Sequence, residues 1–559
     1  MSDRPWLRHY SDFVPATFEP ECRNAVALFD RGDRAQPDVP AMFYFDTAIE
    51  RTTARKAARD LAAALGSELG IERGDRVGVM LQNVPQAAIA FHAIWLAGGV
   101  VVPVNPMNKA RELDHQFSDS GARAVICLES LYEVVDSVRR STAVEHIVVT
   151  SELEMLEVVP AALAGYPRIT CPGAVTFADL VERGAALELT PADPHPGDPA
   201  LLTYTSGTTG PSKGAVNTHH NLAHNAELVS RWYALGDGDI TVGMSPIFHI
   251  TGIVLQLAAA AYSGTPLLLF NRFDAGEMLR LVEKWRGTWC VGPLTAYVAL
   301  LECREFASVD LSSLIKTASG GAPVSPAVAT RWLEATGTRL LNAYGLTEAT
   351  APAILTPLGM QAPVDPDSGA LAIGLPGPNT EAKVIDEGGN ELPALELGQI
   401  AIRGPQITPG YWNNPDATAT TIVDGWLRTG DVGKCDEQGW FYIVDRLKDM
   451  IIVSGFKVWP RDVEDVLYQH EAVREAAVIG VPDQYRGESV RAYVSLKSGT
   501  TASPEDLIAH CRARLAVYKA PRDVRILDEI PKTLTGKALR RELRSRALTE
   551  DTSVRRAER

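Results

Sequence analysis

Residues Tyr204 to Gly214 read YTSGTTGPSKG. Three glycines (Gly207, Gly210, Gly214), the hydroxyls of Thr205, Ser206, Thr208 and Thr209, and one lysine, Lys213, thus follow an apolar run, LLTYT. Such a loop suits a polyphosphate: backbone N–H groups freed by glycine converge on anionic oxygens, hydroxyls add donors, and the lysine adds a mobile positive charge. The spacing is not that of a Walker A loop, because Lys213 is followed by Gly214 rather than by Ser or Thr. Read alone, the same residues also make an ordinary flexible polar turn. His220 and His224 in NTHHNLAHNAE would set two imidazoles on one helix face, as in some zinc sites. No glutamate follows the first histidine and no third ligand is near in sequence, so a helix starting after Thr218 accounts for them better.

The elements that must hold the loop follow from periodicity. Ala54 to Leu65 is Ala/Leu-rich and helical, GDRVGVML gives a turn and a strand, Pro85 to Leu96 a helix, and VVPVN a buried strand. Strand, helix, strand in that order implies a parallel sheet, and the alternation returns around Leu201 and from Leu340 to Tyr344. β-rich structure is expected after Ile373. Near Asp445 the pattern changes to a compact α+β unit, with strands in GWFYIVDR and EAAVIGV and helices in WPRDVEDVLYQH and EDLIAHCRARLA. The final charged stretch, ALRRELRSRALTEDTSVRRAER, is expected to fray.

At 559 residues with 46% apolar content, the chain exceeds one hydrophobic core, so at least two domains are expected. The formal net charge of −15 argues against a nucleic-acid partner and leaves any anionic substrate to local groups. Seven dispersed cysteines with no CxxC pair signal neither a disulfide framework nor a zinc site, which fits a reducing, cytoplasmic setting. No window reaches the roughly 18 uninterrupted apolar residues of a membrane span. Ile253 to Phe270 reads as a buried helix, a turn and a buried strand. Transient contact with a membrane carrying a lipid substrate, and a homo-oligomer, both stay open.

Six motifs in order, YTSGTTGPSKG, ASGGAP (Ala318 to Pro323), YGLTE (Tyr344 to Glu348), RTGD (Arg428 to Asp431), DRLKDMIIVSGFKV (Asp445 to Val458) and PKTLTGK (Pro531 to Lys537), resemble the acyl-adenylate-forming superfamily. The likeness runs from about Ala41 to Arg541 and is greatest to bacterial medium- and long-chain fatty acyl-CoA synthetases. It implies an α/β fold, in which a large N-terminal domain (1–447) of stacked α/β sheets with a β-rich part carries a small mobile α+β domain (448–559), with Lys448 at the hinge. It implies ATP and CoA as cosubstrates, Mg²⁺ as cofactor and a small-molecule carboxylic acid as the third partner. Thr205, Ser206, Gly207, Thr208, Thr209, Gly210 and Lys213 would hold the β- and γ-phosphates. Glu348, with Thr205, would bind Mg²⁺, and Thr347 would contact the α-phosphate. Gly321, Ala322, Pro323, Tyr344 and Gly345 would surround the adenine, Asp431 would hold the ribose, and Arg446 would reach the same ribose or the phosphates. Lys537 would bridge the carboxylate and α-phosphate oxygens in the first half-reaction. In the second, rotation would bring in Gly455, whose missing side chain clears the thiol path, and Lys457 beside a CoA phosphate. Trp426, next to RTGD, is read as packing.

The acid side follows from PIFHITG, Pro246 to Gly252, where the resemblance implies that Phe248, His249 and Ile253 line the acyl pocket and that His249, at the acyl and thiol entry, is a catalytic residue that orients the carboxylate without acting as a base. An amino-acid-activating relative would carry aspartate where His249 stands, so an α-amino acid is disfavoured. The apolar stretches GIVLQLAAAAY and WCVGPLTAYVALL suit an aliphatic or aryl tail. Some long-chain relatives place a gating aromatic at the position of Ile253, which leaves chain length open. The reading is an acid:CoA ligase working through acyl-AMP on a medium- or long-chain fatty acid. The alternatives are an aryl-acid:CoA ligase, an acyl-AMP ligase loading a separate carrier protein, and a non-catalytic acyl or nucleotide binder.

Overall fold

A computed structural model of the chain describes residues 4–205, 211–322, 324–366, 369–446, 449–454, 456–483, 485–532 and 538–557, with the backbone alone at 445, 446, 457, 548 and 551–557. Among the described residues the chain forms four sheets. The first has seven strands and runs in parallel through Val175–Thr176, His146–Thr150, Ala124–Leu128, Arg76–Met80, Val100–Pro103 and Pro199–Thr205. Its edge strand, Lys213–Thr218, folds back antiparallel on Pro199–Thr205. The second has nine strands around a parallel centre of Leu340–Leu346, Lys316–Gly320, Trp289–Gly292, Thr241–Val242, Leu267–Leu269 and Met42–Tyr44. Ala124–Leu128, Val100–Pro103 and Leu267–Leu269, reading AVICL, VVVP and LLL, are buried at every position because a parallel sheet is covered on both faces.

Helices fill the space between the two sheets. Pro85–Leu96 starts on a proline at its first turn and is buried at every position, so its sequence is apolar on all sides. One core joins Val77 and Val79 of the first sheet to Val242 and Leu268 of the second through Ile89, Phe91 and Ile94 of this helix. The helix His219–Trp232 begins where the capping residues require: Thr218 accepts from the Asn221 N–H and Asn221 returns a bond to the Thr218 N–H.

The third sheet is antiparallel, from Glu381–Ile385 to Phe441–Arg446, and is the β-rich part. The small C-terminal domain is built on a fourth sheet, from Ile451–Val453 to Asp523–Ile526, with helices Pro460–Tyr468 and Pro504–Arg512. The sequence differs from the structure at the C-terminal tail. Instead of fraying, residues Arg540–Ala557 form a helix, because Leu543 and Ala547, four apart, bury one stripe against Ala477, Ile479 and Tyr493. The proposed hinge, Lys448, lies outside the described residues. No described helix is long and apolar enough to cross a membrane.

Burial of imidazoles gives this fold an acid sensitivity. Burial pushes His92 down to about 3 and His219 and His224 down to about 4 from the ordinary 6.5. Unfolding frees them to bind protons below 6.5 while the folded state does not, so each withdraws about 1.4 kcal/mol of stability per pH unit as pH falls through that window. The melting temperature is therefore expected to drop by a few degrees between pH 7 and pH 5 and to stay level between pH 7 and pH 8. A flat profile from pH 7 to 5 would show that these histidines are hydrated.

Candidate active site

Of the predicted phosphate and nucleotide segments, two start at the carboxyl ends of parallel strands, after Thr205 and after Gly320, where α/β sheets place ligands. Thr205 ends Pro199–Thr205 and Lys213 opens the returning strand, with the two residues paired in register; Ser206, Gly207, Thr208, Thr209 and Gly210 lie outside the described residues. The base of that hairpin is fixed by a helix the sequence did not single out, Ala110–Ser120. His115 Nε2 meets the Ser212 carbonyl at 2.8 Å, and Asp119 accepts the Tyr204 hydroxyl at 2.6 Å. Gly320 pairs with Ala343 in the second sheet, which sets Gly321 and Ala322 beside Tyr344; Pro323 is outside the described residues.

Thr347 and Glu348 occupy a single 3-10 turn, Thr347–Ala349, between the antiparallel strands Leu340–Leu346 and Ala351–Leu355. The turn closes through two non-glycine residues in left-handed backbone, Thr350 at φ 49° and Ala351 at φ 75°. Such strain persists only where neighbours over-determine it. The neighbours are two asparagines that sequence reasoning missed. Asn225 Nδ2 reaches the carbonyls of Ala349, Thr350 and Pro352 at 3.3, 2.7 and 3.1 Å, and Asn217 Nδ2 donates to the Thr347 carbonyl and the Thr350 hydroxyl at 2.9 and 3.0 Å. Both sit in or beside His219–Trp232, where polar side chains read as helix surface until the turn packs on them.

Glu348 is half-buried and its Oε1 accepts the Tyr411 hydroxyl at 2.6 Å. Its other oxygen has no hydrogen-bond partner among the described residues, where no cluster of three His, Cys, Asp or Glu could hold a metal. One hard oxygen donor suits Mg²⁺ only when phosphate oxygens supply the remaining ligands, so these residues fit a nucleotide-borne ion rather than a resident one.

Asp431, nearly buried, accepts the Tyr344 hydroxyl at 2.7 Å and its N–H donates to the Thr429 hydroxyl. It pairs in register with Arg446 across the third sheet, so the two proposed ribose residues are neighbours on one ladder. Trp426 lies between Lys383 and Arg403, 4.3 and 4.6 Å from its ring, which is the packing role expected of it. Gly455 and Lys537 are outside the described residues, and Lys457 is described by its pairing with Ile452. The described residues that flank Lys537 in sequence, Lys532 and Ala538, pair in an isolated antiparallel bridge.

On the acid side, His249 caps the short helix Ile250–Gly252, its Nδ1 accepting the Thr251 N–H at 3.3 Å, and both Phe248 and His249 are half-buried. The segment is held by Asn83, whose amide donates to the Gly243 and Ser245 carbonyls and accepts the Ile247 N–H, all within 2.9 Å. Ile253 is fully buried and opens a π-helical turn, Ile253–Ala258, a geometry frequent at functional sites. A cavity of about 60 Å³ lies further along, walled by Leu257, Ala260 and Ala261 with Ile89 and His92. Phe248, His249 and Ile253 are not on its wall. His220 and His224 belong to no group of three His, Cys, Asp or Glu among the described residues, and His224 is buried, stacked on Phe18 at 4.9 Å and bonded to Asn225 and Asn379.

The AMP-binding enzyme family profile matches residues 29–412, and that of the AMP-binding enzyme C-terminal domain matches residues 462–537. The long-chain-fatty-acid–CoA ligase of Escherichia coli O6:H1 is 38% identical over 97% of this chain and 98% of its own length. A feruloyl-CoA synthase of an Amycolatopsis species is 34% identical over 92% and 97%. Among solved structures, the anthranilate CoA ligase AuaEII in complex with anthranoyl-AMP superposes with a TM-score of 0.84 at 28% identity, covering 96% of this chain and 99% of that one.

Proposed function

The chain belongs to the AMP-binding enzyme family, and on that premise we propose that it is an ATP-dependent carboxylic acid:CoA ligase that works through an acyl-AMP, with a medium- or long-chain fatty acid as substrate. The observation that carries this reading is the linking of Lys213, Glu348, Tyr344 and Asp431 across three sheets: Lys213 and Glu348 both adjoin Tyr411, and Tyr344, on the strand that leads to the Glu348 turn, donates its hydroxyl to Asp431. Full-length similarity to long-chain-fatty-acid–CoA ligases supports the acid class and the CoA acceptor. The mechanism divides the chain into 1–447, which holds ATP and acid, and 448–559, which turns about Lys448.

In the first half-reaction a carboxylate oxygen attacks the α-phosphorus, the bond to the β-phosphate oxygen breaks, and pyrophosphate leaves. Two anions meet, so the site must supply positive charge and in-line placement. Lys213 and the 205–210 loop neutralise the β- and γ-phosphates, Asp431 and Arg446 fix the ribose, and Tyr344 lies against the base. Mg²⁺, held by Glu348 and phosphate oxygens, would withdraw charge from the leaving pyrophosphate. Lys537 bridges the carboxylate and an α-phosphate oxygen. In the second half-reaction the CoA sulfur, losing its proton, attacks the acyl carbonyl carbon and AMP departs. Rotation about Lys448 removes Lys537 and brings Gly455 to the thiol path, with Lys457 at a CoA phosphate.

The test is pyrophosphate release with ATP and Mg²⁺ across acids from acetate to palmitate plus benzoate and cinnamate, with and without CoA. CoA-dependent thioester from fatty acids supports the reading. Turnover confined to aromatic acids would move the substrate to the aryl class, which the similarity to a feruloyl-CoA synthase favours as the second reading. Acyl-AMP without thioester would assign a carrier-protein acceptor.

A further inference from the structure

Tyr411 belongs to none of the six motifs, yet it touches two of the charges the reaction needs. The segment 408–412 is a crosspiece between the Glu348 turn and the strand leaving the phosphate loop. The Thr408 N–H donates to the Glu348 carbonyl at 2.8 Å, the Val216 N–H to the Gly410 carbonyl at 3.0 Å, and the Trp412 N–H to the Gly214 carbonyl at 2.7 Å. The Tyr411 hydroxyl donates to Glu348 Oε1 at 2.6 Å, while Lys213 Nζ stands 5.2 Å from the centre of the same ring.

A lysine and a carboxylate at such a junction would ordinarily pair with each other and be lost to the nucleotide. Here no ion pair joins Lys213 to Glu348. The ring adjoins both: its face attracts the ammonium without neutralising it, and its hydroxyl occupies one carboxylate oxygen while leaving the other. We propose that Tyr411 is a positioning residue that keeps Glu348 and Lys213 apart and orients the free Glu348 oxygen for the metal carried by ATP. The proposal rests on the adenylating role of Glu348 and Lys213 set out above.

The test compares Tyr411→Phe, which keeps the ring, and Tyr411→Leu, which removes it, with wild type and Glu348→Gln. Mn²⁺ binding is read by electron paramagnetic resonance in the presence of ATP, and metal-free ATP binding by calorimetry. For Tyr411→Phe, Mn²⁺ affinity is expected to fall about tenfold, the cost of losing a partner that orients a metal ligand, with metal-free ATP affinity within about twofold of wild type. Adenylation should recover at high Mg²⁺. Tyr411→Leu should in addition weaken metal-free ATP binding, since Lys213 then closes on Glu348. Should the Leu variant melt early, the Phe variant alone carries the test.

A Tyr411→Phe protein with wild-type Mn²⁺ affinity, or one that loses metal-free ATP binding as much as metal binding, overturns the proposal and leaves the ligase reading intact. If Glu348→Gln also binds Mn²⁺ as wild type does, Glu348 is not the metal carboxylate, and that part of the ligase reading falls together with the proposal.

Discussion

Lys537→Ala is expected to slow acyl-AMP formation by about 10³-fold while changing ATP affinity little, because a cation placed between two approaching anions acts on the transition state more than on the bound ground state. On the proposed reading the ground-state phosphates would have their own partners in Lys213 and residues 205–210, so ATP binding would not depend on the distant lysine. The second half-reaction separates this role from a structural one. If rotation withdraws Lys537 before the thiol arrives, the variant supplied with preformed acyl-AMP and CoA should make thioester at close to the wild-type rate. Rapid-quench measurement of the two steps checks both statements. Equal loss in both would mean that the substitution damages the small domain as a whole, and no loss in the first would remove the lysine from the mechanism. The bridge between Lys532 and Ala538 and the ion pair of Lys532 with Glu475 lie outside the substituted position, which favours a local effect.

What could be read in advance was what depends on residues close together in sequence. The cap at Thr218 needs only Asn221, three residues on, and was legible; so was Pro85–Leu96, where a proline and an unbroken apolar run mark the start and the burial. The packed face of the C-terminal helix was missed because its charges conceal a stripe as narrow as Leu543 and Ala547, which becomes buried only against Tyr493 and Ile479. Site residues divide in the same way. Lys213, Tyr344, Glu348 and Asp431 lie in strings that resemble a known family. Asn225 and Tyr411 act across 124 and 63 residues, on carbonyls and on a carboxylate that come near only when sheets pack, so nothing local marks them. Asn83, which holds the His249 segment from 160 residues away, is of the same kind.

Among the described glycines of the proposed nucleotide site, Gly345→Ala should add the most damaging single methyl. A Cβ there would lie 1.6 Å from the Ala351 carbonyl oxygen and 2.4 Å from its carbon, far inside contact distance and against backbone rather than a side chain that could turn away. The hairpin cannot yield cheaply. Its register already shifts between Tyr344 and Gly345, Thr350 and Ala351 are already left-handed, and Asn225 and Asn217 hold the carbonyls on either side. Opening it would displace Tyr344, Thr347 and Glu348 together. A shift of about 1 Å in groups that position a reacting phosphate can cost 10²-fold in rate, and the lost packing and bonds about 3 kcal/mol or more of stability. Gly321→Ala is the matched comparison. Its backbone is left-handed at φ 81° but an added Cβ meets nothing within 4 Å, so the cost is conformational alone, about 1 to 2 kcal/mol. Melting curves and adenylation rates of the two variants side by side decide the matter: a Gly345→Ala protein no worse than Gly321→Ala would mean that the Glu348 turn is free to move, and that its strained closure is not what places the carboxylate.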